Sequence, residues 1–329
     1  MVLQNLFLPQ KLKYTDTMIQ YFKIIAHRTT AVDKPDAGTW VNVLPPLRQE
    51  EFSELSKALS IPLDFLKDSL DIDERSRYEL ENDVKLIVIK TPTENNSFND
   101  SDAFYITIPI CIILTGQQVV TVNSFENEAI KKFLNSFQNR QPDKPNMMVL
   151  KIFEKITMTF QDHLKEINQR RNMLEQKLYD SIRNQELLQL MRIQKSLVYF
   201  ITALRSNELL MMKLARTDFL HMDQQEKDFL DDLVIETSQA LETANTYTNI
   251  LSSTLDAFAS IISNNQNEVL KRLSTITIFL SVPVLIASIY GMNVPLPYQH
   301  SPFAFWLPLT LSLFILAFVV SNYIKRTKR

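Results

Sequence analysis

The chain is poor in glycine, in cysteine and in net charge. Its 329 residues hold 3 Gly and 1 Cys, and 35 Lys and Arg stand against 37 Asp and Glu. The glycines Gly38, Gly116 and Gly291 lie far apart, so neither GxxxxGK[ST] nor GxGxxG occurs, and ATPase, kinase and dinucleotide-binding readings fall. One thiol, Cys111, builds no disulfide framework and no multi-Cys zinc site, and inside an apolar run it reads as core rather than nucleophile. The histidines His27, His163, His221 and His300 form no HExxH-type cluster, so neither an enzyme nor an organic cofactor is expected. A near-neutral balance leaves no basic footprint for nucleic acid. The opening MVLQNLFLPQKLKY has neither a basic n-region nor a long apolar h-region, so a cleaved signal peptide is not expected. The length allows about two domains and a sizeable core.

Charge is absent in one place above all. Between Arg272 and Lys325 there is no Asp, Glu, Lys or Arg. A spanning helix needs about 20 apolar residues, so this stretch predicts a transmembrane hairpin over 273–324, with spans at 273–290 and 303–323 and an outer loop at 291–302. Pro295, Pro297 and Pro302 punctuate that loop. Lys271 and Arg272 precede the hairpin, and a basic tail at 325–329 follows it. The positive-inside rule then places both termini in the cytoplasm, in a multi-pass protein of the cell inner membrane.

The remaining residues divide in two. Over 1–146, apolar β-branched runs at Val84 to Lys90, Phe104 to Leu114 and Val119 to Val122 predict strands, and Arg48 to Leu59, Pro62 to Leu70 and Asn127 to Phe137 predict helices. This is a cytoplasmic α/β domain. Over 147–272, long helices are expected, because no Pro occurs from Asn146 to Val282 and no Gly from Gln117 to Tyr290. Val149, Phe153, Ile156, Phe160, Ile167, Leu174 and Leu178 mark one apolar seam, and a second helix is expected from Asn184 to Arg216. After a break near Thr217 to Asp223, a third helix carries Leu230, Leu233, Ala240, Ala244, Tyr247, Leu251 and Phe258. Nothing stops it before the first span, so a stalk of roughly 100 Å is expected from Gln225 to Tyr290.

One side of that helix is small or polar: Asp256, Ser260, Ser263, Asn267, Ser274, Thr277, Ser281 and Ser288 recur mostly at three, four or seven. Two spans enclose no pore alone, so a pore on this stripe requires a ring of identical subunits. A membrane tether would need no such stripe.

Tyr290-Gly291-Met292-Asn293 stands at the outer end of the first span. With its setting, this motif resembles the YGMN signature of the CorA-type magnesium channel family, and the likeness extends over the whole chain. LVYFITALRSNELL (197–210) and NEVLKRL (267–273) also look like that family's helices. The resemblance implies an α+β membrane protein: a homopentamer whose first span lines the pore, with Gly291, Met292 and Asn293 as selectivity filter. It makes the polar stripe pore-lining, with Leu270 and Leu273 as an apolar constriction that gates by dewetting. Mg2+ keeps its waters reluctantly exchanged, and a ring of Asn amide oxygens would hydrogen-bond those waters without trapping the ion. Gly291 is expected to supply backbone freedom at the tight helix end.

The resemblance also implies control by cytoplasmic magnesium. Asp231 and Asp232 fall where the family places a stalk carboxylate, with Glu94, Asp100 and Asp102 as partners across a subunit boundary. Mg2+ is then both transported and regulatory ion. In the outer loop, where many members carry an acidic residue, 294–302 has none. Zinc, cobalt or nickel transport on the same fold, and a non-conducting oligomeric sensor, remain the competing expectations, and the intact GMN favours magnesium.

Overall fold

A computed structural model describes residues 19–25, 28–32, 38–44, 49–95, 102–116, 118–123, 127–137, 144–180, 184–293, 302–303 and 306–327. In chain order the elements are β1 (Ile19–Ile25), β2 (Arg28–Val32), β3 (Trp40–Val43), α1 (Gln49–Leu59), α2 (Leu63–Lys67), β4 (Arg77–Glu81), β5 (Val84–Glu94), β6 (Tyr105–Leu114), β7 (Val119–Asn123) and α3 (Glu128–Phe137). They are followed by α4 (Pro145–Asp180), α5 (Asn184–Thr217), α6 (Gln224–Tyr290) and α7 (Trp306–Thr327). The chain separates into two compact units, Met1–Thr254 and Leu255–Arg329. The expected division between 146 and 147 therefore falls inside the first unit, because α4 packs on β5, and α5 on β5 and β6.

The strands form one sheet in the order β2-β1-β3-β7-β6-β5-β4, parallel only between β3 and β7. Leu86 and Val88 of β5, with Cys111 and Ile113 of β6, join a cluster with Phe52, Leu55, Phe65 and Leu66 of α1 and α2. The alternate residues Ile87, Ile89, Ile110 and Ile112 are also fully buried. A sheet covered on both faces reads as continuous apolar runs, which is why β5 and β6 were visible without alternation. Burial pushes the Cys111 thiol well above its ordinary range, consistent with a core role.

Four strands escape the sequence reading. β4 (RYELE) is an exposed sheet edge whose charges protect it from strand addition, so it has little apolar signal. β3 is four residues long, and β1 and β2 pair as a hairpin at the other edge. The helix expected from Pro62 to Leu70 is a five-residue α-helix followed by a 3-10 turn at Asp68–Leu70. Asn82 and Asp83 both adopt positive φ between β4 and β5, the conformation a two-residue hairpin loop requires.

α5 docks on the sheet through polar groups. Ser196 Oγ accepts the Tyr105 N–H at 3.1 Å. β4 ends its pairing at Arg77 opposite Val88, so Lys90 lies past the end of that ladder. Asn207 takes the missing strand's place: its Oδ1 accepts the Lys90 N–H at 3.0 Å and its Nδ2 donates to the Lys90 carbonyl at 2.8 Å. Ser76 Oγ donates to the same Oδ1 at 2.7 Å. A part-buried backbone pair is thereby satisfied by a side chain.

Candidate functional site

The first half of α6 is held by its cap and its seam. Asp223 Oδ1 accepts the Glu226 N–H at 2.9 Å while Glu226 Oε2 accepts the Asp223 N–H at 3.0 Å, a reciprocal capping box. The Asp223–Lys144 hydrogen bond and the Glu226 backbone hold the Asp223 carboxyl below its ordinary range. Leu230, Leu233, Thr237, Ala240, Ala244 and Leu251 are all buried, at alternating steps of three and four but for one of seven. Tyr247, half-buried, occupies that step. Thr237 was absent from the expected seam because a hydroxyl breaks the apolar pattern, and Thr157 bonds it at 3.0 Å.

Beyond Thr254 the helix changes character without ending. Asp256, Ser260, Ser263, Asn267, Leu270, Leu273, Ser274, Thr277, Ser281 and Ser288 are all exposed within the chain. At about 100° per residue they gather on one side of α6. Phe279, on the far side of α6 from the stripe, packs edge-on against Tyr323 of α7 with ring centroids 5.9 Å apart. The stripe therefore faces away from α7. Thr277 Oγ1 donates to the Leu273 carbonyl at 3.0 Å and Ser281 Oγ to the Ile278 carbonyl at 2.9 Å. Each hydroxyl proton is satisfied internally, and the oxygen lone pairs face outward as acceptors.

Among the described residues, much of the apolar surface around the stripe is exposed. Leu280, Val284 and Leu285 on α6, and Phe314 and Phe318 on α7, are all more than half exposed. Among the described residues α6 is the one helix that is long and apolar enough to cross a membrane, and the apolar stretch of α7, Pro308–Ser321, is shorter. Instead of the expected 303–323, α7 starts at Trp306 and runs on through Lys325 and Arg326. Pro283 sits inside α6 without ending it. Its missing N–H leaves the Phe279 carbonyl without the usual i+4 donor, a defect that membrane helices tolerate.

α6 closes at Tyr290, where the Gly291 N–H reaches the Ala287 carbonyl at 2.9 Å and the Met292 N–H reaches Ile289 at 3.3 Å. Gly291, Met292 and Asn293 are exposed. The expected need for glycine's freedom at 291 is not met in this conformation. Gly38 is the described glycine with positive φ, and a Cβ on Gly291 would meet the Ala287 and Ser288 carbonyl oxygens at 3.4 and 3.6 Å, ordinary contact distances. Most of the outer loop, 294–301, lies outside the described residues.

The described acidic candidates lie on α6, at the end of β5 and before β6. Asp231 and Asp232 are consecutive exposed residues of α6, so they point about 100° apart. Glu94 is exposed at the end of β5, and Asp102 precedes β6, its carbonyl accepting Arg192 Nε at 2.6 Å. Asp100 lies outside the described residues. Among the described residues no group of three or more His, Cys, Asp or Glu side chains is placed to hold a metal ion.

Comparison with known proteins agrees with this architecture. The chain is 26% identical over 287 residues to the cobalt/magnesium transport protein CorA of Methanocaldococcus jannaschii, an alignment covering 85% of this chain and 88% of that protein. The complete structure of the CorA magnesium transporter from the same organism superimposes with a TM-score of 0.82 at 24% identity, over 95% of this chain and 98% of that one. Full-length CmaX shares the fold at a TM-score of 0.71 and 16% identity, over 95% of this chain and 99% of that one. The family model described as CorA-like Mg2+ transporter protein matches residues 36–326. The chain belongs to the CorA-like Mg2+ transporter family.

Proposed function

We propose that the chain is a magnesium-selective channel in which a ring of copies, a homopentamer, lines its pore with α6 and carries hydrated Mg2+ down its electrochemical gradient. The reading is carried by one observation: the YGMN sequence ends a helix whose apolar surface is largely exposed and whose polar stripe faces away from α7. Asn293 with Gly291 and Met292 forms the filter, and the acceptor oxygens of Thr277 and Ser281 receive hydrogen bonds from the ion's waters. Leu270 and Leu273 form the apolar constriction. A divalent ion crossing about 100 mV gains about 4.6 kcal/mol, so the membrane potential drives entry without nucleotide chemistry.

In this reading α7 is the second span, both termini are cytoplasmic in a cell inner membrane, and the tail at 325–329 meets anionic headgroups. Cytoplasmic Mg2+ bound between subunits at Asp232, with Asp231, Glu94, Asp100 and Asp102 near it, neutralises facing carboxylates and closes the channel. Asp232→Asn is expected to weaken protection of the first unit from protease by Mg2+, and identical protection overturns that assignment.

The test is uptake by proteoliposomes under an inside-negative potential, comparing Mg2+, Co2+, Ni2+ and Zn2+. Potential-dependent Mg2+ entry is the expected result. Absence of flux for every ion, with the oligomer intact and internal Mg2+ removed, would sink the channel in favour of a non-conducting sensor. Cobalt is the specific competitor, because the relative from Methanocaldococcus jannaschii is named for cobalt as well as magnesium.

A further inference from the structure

α4 and α6 are parallel neighbours in constant register. The pairs Asn146–Glu226, Thr157–Thr237 and Glu175–Thr254 join residues separated by 80, 80 and 79 positions. Between the cap and Thr254, the buried positions of α6 are mostly small or apolar, among them Leu233, Ala240, Ala244 and Leu251. A seam with steps of three and four again turns seam positions toward its partner after a shift of one turn, although the side chains there differ in size. The spacing of the seam alone therefore does not fix one register.

Two polar layers interrupt the seam. In one, Thr157 and Thr237 are buried against each other with 3.0 Å between hydroxyls. In the other, Arg171 of α4 is 8% exposed, its Nη2 bonded to Asn172 Oδ1 at 2.8 Å and its guanidinium 5.6 Å from the Tyr247 ring of α6. Arg171 Nε stands 3.3 Å from Glu175 Oε1, close enough for an ion pair but without hydrogen-bond alignment, and the same carboxylate oxygen accepts the Thr254 hydroxyl at 3.2 Å. Arg171 Nη1 and Asn168 Oδ1 are buried without partners. A buried cation this sparsely satisfied contributes little stability for its burial, whereas shifting α6 by one turn would take Tyr247 and Thr254 away from it.

We infer that Arg171 and Glu175, together with the Thr157–Thr237 pair, are positioning residues that set the axial register of α6 against α4. The polar layers select one among several registers that the apolar seam allows, as a single buried polar residue does in a coiled coil. Such a one-turn step, about 5 Å, is a known kind of switching motion between packed helices. Its link to ion flow rests on the channel reading above, since α6 continues as one helix to Tyr290.

The experiment replaces both layers by apolar residues of similar size, Thr157→Val, Thr237→Val, Arg171→Met and Glu175→Leu, in the full-length protein with Cys111→Ser. Spin labels at exposed Lys165 of α4 and Glu242 of α6 report the register by pulsed dipolar spectroscopy, with labelled chains diluted among unlabelled ones. The parent protein is expected to give one narrow distance. The variant is expected to keep or raise its thermal midpoint while a second, displaced distance appears. A lowered midpoint with one unchanged distance would make the layers merely structural and overturn the inference. If the fourfold variant fails to fold, Arg171→Met with Glu175→Leu alone decides by the same distance. Mg2+ flux is read in parallel: a second distance together with a several-fold shift in the Mg2+ level that stops flux supports both readings. A second distance with unaltered, Mg2+-regulated flux keeps the register role and removes its part in gating, while absence of flux in the parent protein counts against the channel alone.

Discussion

The two halves of α6 use one helical periodicity for opposite ends. Up to Thr254, residues at alternating three and four steps are buried by α4 and α5, and the helix is capped, paired and locked within its own chain. From Leu255 onward most positions of α6 are exposed, polar stripe and apolar surface alike, although Phe258 is buried. A helix so widely exposed needs something beyond its own chain, which in the proposed channel is lipid for the apolar part and further copies and water for the stripe. The contrast teaches that the first half is a finished packing problem and the second an unfinished one.

The sharpest way to break this contrast is at the far end of the unfinished half. Asn293→Ala is expected to lower selective Mg2+ flux at least about 10-fold, the factor equivalent to about 1.4 kcal/mol, while the oligomer survives on size-exclusion chromatography. Unchanged flux and selectivity would remove Asn293 from the filter.

The finished half should respond in stability instead. Asn207→Ala removes the side-chain partner of the part-buried Lys90 N–H and carbonyl, at most about 1–3 kcal/mol for each group, and should lower the unfolding midpoint in denaturant. Flux per folded channel should stay unchanged, and a midpoint equal to that of the parent would show that water replaces the amide.

Acid should separate the halves more gently. Burial raises the Glu154 carboxyl but its bonds to Lys151 and Lys155 outweigh it, and Asp223 is likewise held low by Lys144. A depressed carboxylate stabilises the fold above its unfolded value, about 4, and that contribution is lost as pH falls through the lower folded value. Protection of the amides in the first turn of α6, relative to intrinsic exchange, should therefore fall below pH about 4, while 273–290, which has no carboxylate, should show no such step. An equal fall in both would contradict the assignment.

The smallest expected effect within one chain is that of Gly291→Ala. With its Cβ at ordinary contact distances, the variant should insert and assemble as the parent does. If flux nevertheless falls, the demand for glycine comes from the space between subunits rather than from the backbone of one.

Much of the architecture was legible because the signals were local. The charge-free run from 273 to 324, the Pro-free and Gly-free helices and the YGMN placement are properties of contiguous sequence, and the helices they imply stand where expected to within a few residues. The reciprocal D-x-x-E cap at Asp223 and Glu226 is equally local, a signal present in the sequence at the break before α6 and absent from the expectations above. Four strands were hidden because an edge strand such as RYELE earns its place from its neighbour's hydrogen bonds rather than from its own apolar pattern.

What the sequence by itself determined is therefore the class of protein: an α/β unit, long helices, an apolar C-terminal stretch and the family signature. Only the tertiary structure decided that α4 and α5 belong to the same unit as the sheet, that Asn207 replaces a strand, and that Arg171 faces Tyr247. The last two contacts join residues 117 and 76 positions apart, and no periodicity within one segment encodes which polar side chain of another segment will satisfy it.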